Sequence, residues 1–392
     1  MRNNSVTDAG IKVRLSELNK RRVISALLST GRCSRRDLSE RTQLASSTIS
    51  TITSELIDSG IVQRVGKRNH SAAGRREELV ARNPKAATAV TVHYTTDACT
   101  FGLVDFGLNV MDEFELESPP NGRGIEEMIA ARVAEMLDAY PRSRLPSLVA
   151  LSLPNHPVPE KVVTRRVSQA VGIPVFGLNN VAAMAVYHNY IARYQEPRTF
   201  SLVYVGTGIG SGLVIDGEVY HGVNGNASDL GHVHIRESPV PCRCGRTGCL
   251  ETFASLQALS RAVREHFPGF STERALRGDA LASFLQERLL GGDAFVRDLL
   301  DAACADLAKG IRNLVALLDP GTVLVVSRLN RLSPFYEERL RAHYYTRAGA
   351  PAVHTTRLEF GEYRPEAGLV GAGLFGFNRL LGGAGFVSGA RN

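Results

Sequence analysis

Three of the chain's six cysteines fall within eight residues of one another, in the stretch GHVHIRESPVPCRCGRTGCLE at 231–251. A loop that carries so many soft ligands is built to close on something. Zn²⁺ takes four nitrogen or sulfur ligands in a tetrahedron, and a structural site fills all four with protein. Cys242, Cys244 and Cys249 supply three thiolates, and a histidine would complete the set. His232 and His234 are both within reach; if HVH is a strand, the two side chains share a face, so spacing does not choose between them. Gly245 and Gly248 let the chain wrap an ion. Such a site is closed and net negative, which suits a structural zinc and not hydrolysis. Cys33, Cys99 and Cys304 lie in apolar or helical surroundings and read as packing residues.

This reading needs reduced thiols. The N-terminal stretch MRNNSVTDAGIKVRLSELNKRR has no apolar signal core, and no apolar run approaches bilayer length. A cytoplasmic protein with no membrane partner is expected. At 392 residues the chain should hold two or three domains.

The net charge of +7 is unevenly spread. Residues 1–82 carry 16 Lys and Arg against 8 Asp and Glu, which leaves 30 of the 46 basic residues against 31 of the 39 acidic ones. A basic module on a near-neutral body is the electrostatic footprint of nucleic-acid binding. NKRRVISALLSTG places Val23, Ile24, Leu27 and Leu28 at helical spacing, with Gly31 as a stop. SRRDLSERT opens on Ser34, a good N-cap, and carries Arg35 and Arg36. After the short connection QLA, a third helix over 46–59 puts Ile49, Ile52, Leu56 and Ile57 inward, and Gly60 ends it. Ser46, Ser47, Thr48, Ser50, Thr51 and Ser54 make its outer side, short hydroxyl side chains that let a helix approach base edges and phosphates in a major groove. IVQRVGKRNHSAAGRREELV then reads as two strands around a basic tip, a wing with Arg75 and Arg76 placed for phosphates or a minor groove. The pattern is a winged helix-turn-helix.

Beyond this module, strands alternate with helices in two α/β halves, 83–198 and 199–392. Strands are expected at AVTVHY, TFGLVDF, SLVALSL and PVFGL, with a helix over GIEEMIAARVAEMLDAY. The run TFSLVYVGTGIGSGLVIDGEVYHG reads as a hairpin. GTGIGSG at 206–212 could cradle phosphate, but glycines between two strands more often mark a tight turn, and the strand that follows excludes a Rossmann fingerprint.

A winged helix, then GTGIGSG, then DLGH, then CRCGRTGCLE resembles the ROK family of repressors, open reading frames and sugar kinases, over nearly the whole chain. The resemblance implies an actin-like ATPase body of two lobes. It implies zinc ligands His232, Cys242, Cys244 and Cys249, with His234 left out. The N-terminal helix-turn-helix places the chain with the family's repressors of sugar operons and not with its kinases. Three kinase motifs are lost. Asn180, in LNNVAAMA, stands where the family has its catalytic Asp, and a neutral amide cannot act as a general base. His93 stands at the Asp of the phosphate motif, and VVSRLNRL lacks the adenosine-binding glycines. The family's sugar contacts map to Asn179, Asn180, Asp229, His232 and Glu251. Asp229 is one methylene shorter than the family's Glu, and the segment before LNN is short. What this implies is a non-enzymatic regulator, a homodimer or homotetramer on an inverted-repeat DNA operator, with a sugar or sugar derivative as effector. The alternatives are an active sugar kinase with an added DNA module and a repressor blind to ligand.

Overall fold

Ser34 closes a capping box: its hydroxyl accepts from the Asp37 amide at 3.2 Å, and the Asp37 carboxylate accepts from the Ser34 amide at 2.8 Å. That start signal fixes helix α2 (Arg35–Thr42), which lies between α1 (Asp8–Thr30) and α3 (Ser46–Asp58). The structure, a computed structural model, describes residues 8–68, 76–96, 98–119, 122–141, 145–154, 158–191, 199–223, 225, 227–270, 278–332, 334–346 and 351–381. Val23, Ile24, Leu27 and Leu28 of α1 and Ile49, Ile52 and Leu56 of α3 are buried against one another. Each such side chain contributes about 2 kcal/mol by leaving water. Ile57 is only half-buried. Gly60, in the left-handed conformation at φ +73°, ends the third helix as a side chain there would resist doing.

The wing is a three-stranded sheet in the order β1–β3–β2, with β1 at Arg32–Ser34, β2 at Val62–Arg68 and β3 at Glu77–Arg82. The sequence pointed to two strands; the third, β1, is three residues long, too short to show an alternation. The tip of the wing, with Gly74 and Arg75, lies outside the described residues.

The body holds two five-stranded sheets with the same connectivity. The first runs β6–β5–β4–β7–β8: β4 (Thr88–Tyr94), β5 (Ala98–Asp105), β6 (Val110–Glu117), β7 (Leu148–Leu153) and β8 (Val175–Asn179). The second runs β11–β10–β9–β12–β13: β9 (Phe200–Val205), β10 (Ile209–Ile215), β11 (Glu218–Tyr220), β12 (Thr322–Ser327) and β13 (Arg357–Glu362). In both, three strands pair antiparallel and two more join in parallel. GTGIGSG is the tight turn of the β9–β10 hairpin, closed by a bond from the Gly206 amide to the Gly208 carbonyl at 2.9 Å.

Chain order assigns the last helix, Pro365–Leu380, to the second half, but its packing assigns it to the first. Leu374 and Phe377 join Leu148 and Ala150 of the first sheet in one core. A side chain at Gly371 would run into the carbonyl of Ala183, so glycine there brings the helix against Asn180–Ile191. The same core continues without a break into the winged helix, from Phe106 and Phe377 to Val23 and Leu28. The DNA module is thus seated on the first lobe. Cys33, Cys99 and Cys304 are buried, at 3 % exposure or less, and burial raises all three thiols above their ordinary range. Among the described residues, no helix is long and apolar enough to cross a membrane.

Candidate functional site

The helix α3 carries its hydroxyl groups where the sequence placed them. Ser46, Ser47, Ser50 and Thr51 are exposed, and Thr48 and Ser54 are half-buried at the edges of the face. Thr51 turns its hydroxyl back to the Ser47 carbonyl at 3.1 Å, so the helix surface stays shallow. The basic residues are more constrained than composition suggests. Arg35 pairs with Glu78 of β3 at 3.3 Å, tying α2 to the wing, and Arg36 pairs with Glu40 one turn on. Arg76 is exposed. Three further basic residues, Arg64, Lys67 and Arg68, lie exposed along β2 and were not among the candidates drawn from the sequence. Arg68 reaches both Asp37 and Glu77, at 3.0 and 2.8 Å, and so latches the wing to α2. The signal for these residues was present in VQRVGKR, where basic residues recur along one exposed strand.

The cysteine loop converges. One ligand atom each from His232, Cys242, Cys244 and Cys249 lies within 4.8 Å of all the others. Sulfur atoms sharing a tetrahedral zinc sit roughly 3.8 Å apart, given Zn–S bonds near 2.3 Å; here Cys244 Sγ and Cys249 Sγ are 3.7 Å apart, and Cys242 Sγ is 3.3 Å from His232 Nδ1. The donor set and its spacing fit a metal ion. The choice of histidine comes from the backbone. HVH is not a strand: His232 closes a short 3₁₀ turn, Leu230–His232, while His234 lies in a single bridge opposite Cys249. His232 is buried, whereas His234 is half-exposed and pairs with Glu237 at 3.5 Å. Burial opposes ionisation of Cys244, but hydrogen bonds from Arg246 pull its thiol down to about 6. The loop is docked on the long helix Ala294–Leu318 by Arg236, which pairs with Asp306 at 3.1 Å and stacks 3.8 Å from the centre of the Phe253 ring.

A cleft opens beside this loop, lined from both lobes by Thr95 and Pro154 on one side and Tyr204 and Ser228 on the other. Asn179, Asn180, Asp229 and His232 all line it, as the sequence led us to expect, and Arg243 joins them. Two of these groups are already occupied. Asn179 Oδ1 caps the helix Asn180–Ile191, accepting from the amides of Val181 and Ala182 at 2.9 and 3.2 Å. Asn180 Nδ2 donates to the Tyr94 carbonyl at 3.2 Å. Glu251 is buried behind the cleft, with Arg243 lying between: Nε and Nη2 of Arg243 bond to its two oxygens at 3.1 and 3.0 Å. Glu251 is therefore held as a support for an arginine, and a guanidinium faces the cleft where an acceptor was anticipated. Arg243 carries no signal of its own in the sequence, where it is the spacer between two cysteines of the candidate metal loop.

At the end of β4, side chains bridge the lobes. His93 contacts Ser152 Oγ through Nδ1 at 2.8 Å and Tyr363 Oη through Nε2 at 3.4 Å. Burial, aided by the charge of Arg328, pushes the His93 pKa down to about 4, so the ring is neutral. Arg328 lies 4.3 Å from the centre of the Tyr363 ring, and the Tyr204 and Tyr363 rings are 5.3 Å apart.

Residues 96–376 match the model described as the ROK family, and residues 17–63 match one described as winged helix-turn-helix DNA-binding. The DNA-binding transcriptional dual regulator NagC of Escherichia coli (strain K12) is 23 % identical over 332 residues, 80 % of this chain and 81 % of its own. A xylose repressor of Caldicellulosiruptor bescii is 22 % identical over 378 residues, 91 % and 94 % of the two chains. Among solved structures, a ROK family transcriptional regulator described as a homologue of the E. coli MLC protein superposes with a TM-score of 0.72 at 22 % identity, covering 94 % of this chain and 98 % of that one.

Proposed function

The chain belongs to the ROK family, and from that premise we propose that it is a sequence-specific DNA-binding transcriptional regulator, a repressor whose kinase-like body no longer transfers phosphate. The observation that carries this reading is one continuous hydrophobic core joining a winged helix to the body; in that body, by resemblance, Asn180 stands at the family's catalytic Asp and His93 at the Asp of its phosphate motif. Neither residue can play the part of a carboxylate there. The α3 face from Ser46 to Ser54 would enter a major groove, with the wing, including Arg75 and Arg76, on the backbone beside it. Arg35 and Arg36 would border the same contact. A homodimer or homotetramer would place two such helices on an inverted repeat.

The cleft would take a sugar or sugar derivative, with Asn180, Asp229 and Arg243 as polar contacts and His232 at its floor. Zinc would be held by His232, Cys242, Cys244 and Cys249. With all four positions filled by protein, the bound ion would crosslink the loop and supply no open site for chemistry.

Selection from a random-sequence duplex pool should enrich one sequence with two-fold symmetry. Its affinity should fall steeply with salt, by 10³-fold or more between about 50 and 200 mM, for roughly six phosphate contacts. A flat salt dependence would sink the assignment of the N-terminal module. With ATP and a panel of hexoses and amino sugars, no phosphorylated product is expected; turnover would restore the kinase reading. A thermal-shift screen of sugars and sugar phosphates should find a stabilising ligand whose shift disappears in Asp229→Ala. No shift from any sugar would favour a ligand-blind repressor.

A further inference from the structure

The helix Asn180–Ile191 runs from the cleft to the DNA module, about 18 Å at 1.5 Å per residue. Its first turn lines the cleft through Asn180 and Val181. Its middle is wedged between the lobes. On one side stands the β10 hairpin strand, where a Cβ at Gly212 would sit 3.0 Å from both the Ala185 methyl and the Val181 carbonyl oxygen; on the other stands Gly371 of the last helix. Packing this close leaves the helix little room to yield locally. At its far end, Asn189 Nδ2 donates to the Gly217 carbonyl of the second lobe at 2.7 Å, and Tyr190 meets Arg82.

Arg82 is a cation left only 5 % exposed at the junction of the wing and the body. Its Nη2 donates to Tyr190 Oη at 2.7 Å and to the Gly107 carbonyl at 3.4 Å, and its Nη1 to the Leu28 carbonyl of α1 at 3.5 Å. The guanidinium carbon lies 5.1 Å from the centre of the Tyr190 ring. A buried charge must keep its partners, so these four groups hold their places together. The next residue, Asn83, donates from Nδ2 to the Gly60 carbonyl at 2.8 Å and from its amide to the Ile61 carbonyl at 3.0 Å, just past the end of α3. Two consecutive residues thus grip the ends of both α1 and α3 and take hold of the body through Tyr190.

We propose that the helix Asn180–Ile191 and Arg82 are the mechanical link through which the state of the cleft sets the pose of the DNA-reading helix, Arg82 acting as a positioning residue. The proposal rests on the reading of the chain as a DNA-binding regulator with a ligand cleft. Cleft and DNA face then share one free energy of coupling, carried by a defined contact.

The test is a double-mutant cycle on the full chain with the duplex that the wild type itself enriches from a random pool. Asn179→Ala removes the cap at the cleft end; Tyr190→Phe removes the hydroxyl at the other end and keeps the ring. Asn179→Ala should change the Kd for that duplex about fivefold or more in the wild-type background, and less than about twofold beside Tyr190→Phe. Arg82→Gln in place of Tyr190→Phe should uncouple the two ends in the same way. A merely structural contact would shift the thermal midpoints and leave the effects on Kd additive. Additive effects on Kd overturn the link, as does an Asn179→Ala chain with unchanged Kd. A wild type that enriches no duplex overturns the regulator reading, and this inference with it.

Discussion

Cys249→Ser is expected to empty the metal site and lower the thermal midpoint by roughly 10 °C. Cys249 is 1 % exposed and sits between two backbone ties: Ile235 donates to the Gly248 carbonyl at 2.8 Å, and Leu250 to the Val233 carbonyl at 2.9 Å. Removing one thiolate from a four-ligand site leaves the ion without a closed shell. An ion present at about 1,000 times its Kd adds about 4 kcal/mol to the folded state, and in a body of this size each kcal/mol moves the midpoint by about 2–4 °C. Elemental analysis should fall from about one zinc per chain to none. Cys304→Ser is the control: that thiol is buried at the Tyr336 carbonyl, far from the loop in sequence, so its loss should leave the zinc in place. Full zinc occupancy in Cys249→Ser would reject the ligand assignment.

The second large effect is expected from Thr51→Glu. Thr51 is exposed near the middle of α3 and bonds only to its own helix backbone in the described contacts. Glutamate is a good helix former, so stability should move by less than about 0.5 kcal/mol. Against DNA, a new negative charge in a groove lined by phosphates costs about 3 kcal/mol, roughly a hundredfold in affinity. Fluorescence anisotropy on the selected duplex, with a melting curve of the same sample, separates the two quantities. A loss below about threefold with an unchanged melt would place the reading surface elsewhere.

How much of this was legible in the residues depends on whether the signal was local. Ser34 with Asp37, the apolar spacing of α3 and the glycine turn at 206–208 are local, and each appears as the sequence indicated. The choice of His232 over His234 was not local, because it turns on a 3₁₀ turn that spacing cannot reveal. The pairing of Arg243 with Glu251 joins two residues eight apart across the cysteine loop, and only the folded loop brings them together. Arg82 is the plainest case. As one of many basic residues in the first 82 it read as part of a DNA-binding charge, yet it is buried against a tyrosine 108 positions away.

The helix Pro365–Leu380 completes the first lobe from the far end of the chain. During synthesis the winged helix and the first sheet leave the ribosome long before the element that covers them. Until about residue 380 has emerged, the face of Leu148, Ala150 and Ala183 lies open and the seat of the DNA module is unfinished. Completion of the first lobe therefore waits for the C-terminal helix, the slow and exposed route that such distant contacts impose. A nascent chain cut short before that helix would carry its winged helix on a base whose apolar face is still uncovered.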